Sequence, residues 1–122
     1  MKIATGVDLI EISRIEEVIA RHGNHYLDRI FTPAELEQCG KRAESLAGRF
    51  AAKEAVAKAL GSGIGDVTWK EIEILGDENN APLLSLHGVA KQKANELGLT
   101  QWSVSISHSQ SHSVAFVVMV GK

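Results

Sequence analysis

Arg49, Lys53, Glu54 and Lys58 fall within one stretch, Ser45 to Gly65, that also carries six alanines and closes on Gly61-Ser62-Gly63-Ile64-Gly65. Strong helix formers ended by glycine predict a helix from about Ala47 to Leu60. Glu54 and Lys58 are spaced i, i+4 and share one side of that helix, while Arg49 and Lys53 repeat the spacing on an adjacent side. Only Leu46, Phe50, Val56 and Leu60 supply apolar bulk, so a neighbouring group can approach the backbone closely. A carboxylate and several cations beside a flexible glycine segment suit phosphate groups held with a divalent metal. The plainer alternative is a solvated helix face whose charge pairs contribute a few tenths of a kcal/mol each.

The elements that must position these side chains belong to one domain, residues 1–122. Hydrophobic content of 44% and charged content of 23% are those of a soluble globular protein. A net charge of −2 leaves no broad basic field for nucleic acid or an anionic membrane, so any anionic ligand must be held by local Arg and Lys clusters. Cys39 is the only cysteine, which excludes an internal disulfide and fits a reducing compartment. The opening residues meet Asp8 before a signal-peptide core could form, and no apolar run reaches membrane-spanning length. Cytoplasm is the expected location.

Lys2 to Ile10 reads as a strand, with Asp8 near its end. Ser13 as N-cap with Glu16 three residues on predicts an amphipathic helix to about His22, stopped by Gly23. Ile12, Ile15 and Ile19 form its core stripe, and Arg14, Val18 and Arg21 share another face. That face suits an acidic partner helix, or is a solvated surface with Glu17 and Arg21 paired. Tyr26 to Phe31 is expected to be a short connection. Thr32-Pro33-Ala34-Glu35 starts a helix running to about Gly40. Thr68 to Leu75 is expected as a strand, Gly76 to Asn80 as a turn and Pro82 to Leu86 as the returning strand. Gly88 to Leu97 reads as a helix. Gln101 to His108 alternates as a strand, and apolar Val114 to Val120 reads as its buried antiparallel neighbour, leaving His108 at a strand end. The order of elements predicts an α+β fold with a largely antiparallel sheet packed against helices.

Three separated blocks carry a resemblance: Gly6-Val7-Asp8-Leu9-Ile10-Glu11-Ile12 with Arg14-Ile15, then Gly48 to Gly61, and Ser105-Ile106-Ser107-His108-Ser109. In order, spacing and length they resemble the phosphopantetheinyl transferase superfamily, in particular its short branch, the holo-acyl-carrier-protein synthases. Phe31-Thr32 with Glu35, and Trp69 to Glu73, extend the likeness over nearly the whole chain. That family moves the 4′-phosphopantetheine arm of coenzyme A onto a serine of apo-acyl carrier protein, in support of fatty acid biosynthesis, and releases adenosine 3′,5′-bisphosphate.

The resemblance implies a phosphopantetheinyl transferase-like fold and assigns roles residue by residue. Asp8 and Glu54 match the family's Mg²⁺ ligands, a donor set that suits this ion. Lys58 matches the group that stabilises charge on the leaving phosphate. The serine's proton goes to Glu54 through a water, or to a water activated by the metal. His108 matches a phosphate-contacting histidine contributed by a neighbouring subunit. Arg49 and Lys53 are expected at the coenzyme's 3′-phosphate and adenine end, and Gly61, Ser62 and Gly63 where its backbone passes close. Arg14, Val18 and Arg21 fit the docking surface for an acidic carrier protein, and a chain this short implies a homotrimer with sites between copies. Asn80-Ala81-Pro82 stands where relatives often have Gly-Lys-Pro, and Ser109 where some carry an acidic residue, which leaves a second catalytic role there open. The competing classes are a noncatalytic coenzyme A or phosphate-binding module and a hydrolase using a serine near His108; no Gly-x-Ser-x-Gly turn supports the latter.

Overall fold

The computed structural model describes residues 1–122. In chain order the elements are β1 (Lys2–Glu11), α1 (Ile12–Ile30), α2 (Pro33–Cys39), α3 (Ala43–Ala59), a 3₁₀ turn (Trp69–Glu71), β2 (Ile72–Gly76), β3 (Pro82–Leu86), α4 (Gly88–Glu96), β4 (Gln101–His108) and β5 (His112–Gly121). Strands β1, β5 and β4 form an antiparallel sheet in that order, and β2–β3 is a separate antiparallel hairpin. No helix is long and apolar enough to cross a membrane.

α3 is the axis of the fold. Its alanines from Ala47 onward and its bulky residues Leu46 and Val56 are buried, because the helix is enclosed by the three-stranded sheet on one side and by α1 and the hairpin on the other. Small side chains are what permit this. A Cβ on Gly6 would overlap the Ala55 carbonyl oxygen, so strand and helix meet backbone to backbone. That closeness sets Asp8, two residues along the same face of β1, against the next turn of α3. Gly6→Ala is therefore expected to cost about 1–3 kcal/mol by forcing the two elements apart, read as a fall in the urea midpoint with an unchanged slope.

The sheet alternates as β-structure must. Ala115, Val117 and Met119 face α3 and are buried. Val114, Phe116, Val118 and Val120 face the other way, opposite Leu9, Val7, Thr5 and Ile3 across the β1–β5 register. On that outer face Ile3 is 65%, Val7 53%, Leu9 64% and Phe116 43% exposed, so half of the apolar last strand is core and half is an open apolar surface.

Several boundaries differ from the sequence expectation; β5, for instance, starts at His112 and not at Val114. α1 starts at Ile12, not after a Ser13 cap, because the Ile12 N–H is taken by the Ser111 carbonyl of the β4–β5 turn (2.9 Å). Gly23, at φ 56° and ψ −141°, interrupts α1 where the stop is expected, but a second helical piece follows at once, so 26–31 is mostly helical rather than a connection and buries Leu27 and Ile30. α3 begins four residues before Ala47, with Arg42 as its N-cap residue. Thr68 does not open a strand: Thr68-Trp69-Lys70-Glu71 is a capping box around a 3₁₀ turn, with the Thr68 N–H donating to Glu71 Oε1 at 2.8 Å. The α2 start stands as expected, with Thr32 and Glu35 in a reciprocal capping box behind Pro33.

Candidate active site

Asp8 on β1 and Glu54 and Lys58 on α3 form one cluster. Lys58 Nζ lies 3.1 Å from Asp8 Oδ1 and donates to the Val7 carbonyl at 3.0 Å. Partial burial and the neighbouring Asp8 carboxylate push the Glu54 carboxyl above the usual range, while Lys58 draws it part of the way back. Two carboxylates that repel one another, with an ammonium unable to satisfy both, make an anionic pair that a divalent cation would relieve. No group of three or more His, Cys, Asp or Glu side chains converges anywhere in the chain. Two hard oxygen donors, with the remaining positions left to water and phosphate, fit magnesium better than zinc or calcium.

A second cluster lies near the other end of α3. Arg49, Arg42 and His108 line a cleft of about 380 Å³ whose far wall is the β2–β3 turn with Gly76, Asp77 and Asn80. Arg49 and Lys58 are nine residues apart, about 14 Å along a helix, and none of Asp8, Glu54 and Lys58 lines the Arg49 cleft. One copy of the chain thus holds a carboxylate–ammonium cluster and a separate cleft that presents Arg42, Arg49 and His108 alongside the carboxylates of Glu44 and Asp77. His108 is exposed at the end of β4, its Nδ1 3.3 Å from the Ser109 carbonyl.

Lys53 requires a correction. It is fully buried and cannot reach a coenzyme from where it stands. Its ammonium donates to Glu35 Oε1 (2.8 Å) and to the carbonyls of Trp69 (2.9 Å) and Ile72 (2.7 Å), which uses all three of its protons. Burial depresses its pKa, and the Glu35 carboxylate opposes that shift. Lys53 ties α3 to α2 and to the hairpin instead.

The glycine segment after α3 is narrower in its use than its composition implies. Gly61 and Gly63 take φ of 73° and 68°, and the N–H groups of Ser62 and Gly63 both go to the Ala57 carbonyl at 3.2 Å to close the helix. The Ser62 hydroxyl is buried without a hydrogen-bond partner. On α1, Arg14 and Arg21 are exposed and Val18 half-buried, so the face expected for docking is open. Arg42 and Gln38 were missed by sequence reading. They sit at the end of α2 and in the α2–α3 turn, and gain a role only when the hairpin folds over them.

Residues 4–117 match the 4′-phosphopantetheinyl transferase superfamily. The chain belongs to that superfamily. It is 52% identical over 126 residues to a holo-[acyl-carrier-protein] synthase of Herpetosiphon aurantiacus, covering 98% of this chain and 99% of that one. Among solved structures it is similar to the Helicobacter pylori holo-[acyl-carrier-protein] synthase in complex with coenzyme A, at TM-score 0.87 and 37% identity over 95% of this chain and 99% of the other. A Bacillus anthracis holo-(acyl-carrier-protein) synthase in complex with CoA (3′,5′-ADP) aligns at TM-score 0.79 and 34% identity, covering 98% and 96%. The α+β architecture, helices packed on antiparallel sheets, is similar to that of these holo-[acyl-carrier-protein] synthase structures.

Proposed function

We propose that this chain, acting as a single catalytic domain in the cytoplasm, transfers the 4′-phosphopantetheine group of coenzyme A to a serine hydroxyl of an apo-acyl carrier protein. The products are the holo-carrier, for fatty acid biosynthesis, and adenosine 3′,5′-bisphosphate. The observation that carries the reading is the Asp8–Glu54–Lys58 cluster, set by the Gly6 contact in a chain whose relatives bear this activity by name. In the reaction a P–O bond forms to the serine and the bond to the adenosine bisphosphate breaks, so negative charge must be balanced on both sides of one phosphorus.

Asp8 and Glu54 would hold magnesium, which supplies positive charge against the diphosphate when bound. Lys58, beside Asp8 and 53% exposed, reaches outward to share the charge of the departing phosphate. Glu54 is assigned as acceptor of the serine proton. Arg49 and His108, with Arg42, take the 3′-phosphorylated adenosine, and the Ser62 hydroxyl with Gly61 and Gly63 contacts the phosphate chain. Since none of Asp8, Glu54 and Lys58 lines the cleft that holds His108, a complete site joins the Asp8 cluster of one copy to the His108 cleft of another. The open apolar face of Ile3, Val7, Leu9 and Phe116 supports burial against further copies, here a homotrimer closed about a three-fold axis.

Incubating the protein with apo-carrier, coenzyme A and magnesium, and weighing the carrier by mass spectrometry, tests the activity. The carrier gains the mass of a phosphopantetheine; an unchanged mass together with retained coenzyme binding would make the chain a binding module only. The docking face gives a separate prediction. Arg14→Glu raises the carrier KM about tenfold and leaves the coenzyme KM unchanged, because a reversed charge opposes encounter with an acidic helix. The ratio shrinks as salt is added, and equal changes in both KM values would remove Arg14 from docking.

A further inference from the structure

β2 has β3 on one side and no strand on the other, yet the backbone groups of its free edge are satisfied. The Ile72 carbonyl accepts Lys53 Nζ at 2.7 Å. The Ile74 N–H donates to Glu35 Oε2 at 2.8 Å, and its carbonyl accepts Arg49 Nη1 at 2.7 Å. The Gly76 N–H donates to Gln38 Oε1 at 2.8 Å, and its carbonyl accepts Gln38 Nε2 at 3.0 Å. Side chains from α2 and α3 thus stand in for a missing neighbour strand, and the Gln38 amide, with one donor and one acceptor in one plane, reproduces a strand residue in full.

Gly76 is where the hairpin becomes the far wall of the cleft that holds Arg42, Arg49 and His108. That wall has little slack: a Cβ on Gly76 would lie 2.8 Å from Asn80 Oδ1 and 3.6 Å from Arg49 Nη2. Arg49 is bonded to the same strand two residues earlier, so a shift of the hairpin moves the guanidinium with it. Glu35 and Lys53 are buried and bind Ile74 and Ile72 of the hairpin, whereas Gln38 is exposed and holds Gly76 at its turn end.

We infer that Gln38 is a positioning residue for the coenzyme: by clamping both backbone groups of Gly76 it sets the spacing between the hairpin wall and the Arg42–Arg49 wall. The inference rests on the proposal that this cleft takes the 3′-phosphorylated adenosine. Gln38 is expected to act on coenzyme affinity and not on the chemical step, which takes place at the Asp8 cluster.

Gln38→Met keeps the side-chain length and loses both hydrogen bonds; Gln38→Glu keeps the acceptor and sets a carboxylate against the Gly76 carbonyl. Steady-state kinetics on the intact protein, with apo-carrier as acceptor, should show the coenzyme A KM raised about three- to tenfold by Gln38→Met. The kcat and the carrier KM stay within about twofold, while the Ki of adenosine 3′,5′-bisphosphate rises in step with the coenzyme KM. Gln38→Glu raises the coenzyme KM further, and added salt reduces the excess because it comes from charge. An unchanged coenzyme KM and Ki in Gln38→Met overturns the inference, as does a parallel change in kcat and both KM values. His108→Ala separates this from the site assignment. If His108→Ala weakens coenzyme binding and Gln38→Met does not, the positioning role alone fails; if neither does, the cleft is not the coenzyme site and both fail.

Discussion

Glu54→Gln should lower turnover about 10²–10³-fold while the fold stays as stable as the parent. The size of the loss is that of removing one preorganised group from a charge-stabilising site. The two effects separate because Glu54 in its ionised form works against folding. Burial and the Asp8 carboxylate raise its folded-state pKa above that of the unfolded chain. For such a carboxyl, stability is highest below the unfolded pKa, falls as pH rises through the two values, and remains lowered above the folded one. At neutral pH the parent therefore carries this cost and the glutamine variant does not. The variant should melt at or slightly above the parent temperature at pH 7, and the difference should vanish in acid, where Glu54 is protonated in both states. Calorimetric scans with and without magnesium extend the test: the ion raises the parent melting temperature more than that of Glu54→Gln, since one of its two carboxylates is gone. Near-normal transfer by the variant, or an equal response of both proteins to magnesium, would remove Glu54 from the metal-binding and catalytic role.

What could be read ahead of the structure divides by the range of the physics involved. Thr32-Pro33-Ala34-Glu35 was legible as a helix start because capping is settled within four residues. Thr68-Trp69-Lys70-Glu71 carries the same signal and was passed over in favour of the alternating pattern beyond it. The stop expected at Gly23 is a real break in helical geometry; what the local pattern does not show is the helical piece that follows it, held in place by buried Leu27 and Ile30. The approach of Asp8 to Glu54 is set by Gly6 against Ala55, a contact between residues 49 positions apart that no local pattern encodes. Resemblance to a family supplied that pairing, and the small residues on both partners give it a cause. Gln38 had no signal at all, since an exposed glutamine late in a helix has meaning only beside a strand edge that arrives 38 residues later.

Lys53 shows the same limit with the largest consequence for stability. A charged residue on an alanine-rich helix looks alike whether it points to a cleft or into the core, and the local pattern around its partner Glu35, 18 residues earlier, shows only a helix cap. If Lys53 bound the coenzyme, Lys53→Met would cost affinity and leave stability untouched. The structure predicts the reverse order. Removing the ammonium leaves the Ile72 carbonyl without its donor, the Trp69 carbonyl with only the Ile72 N–H, and the Glu35 carboxylate buried, with only the N–H groups of Thr32 and Ile74 to offset its charge. Breaking one side of such a pair costs about 3–5 kcal/mol, a large share of the roughly 5–15 kcal/mol that holds a domain together. Urea unfolding of Lys53→Met should show it. Adding Glu35→Gln to Lys53→Met should then recover part of the loss, because the neutral amide oxygen still accepts a backbone N–H and no uncompensated charge remains. The sign of that recovery is the decisive reading. Were Glu35→Gln to destabilise the Lys53→Met background further, the cost would come from the lost hydrogen bonds alone and not from a buried charge left without its counter-ion.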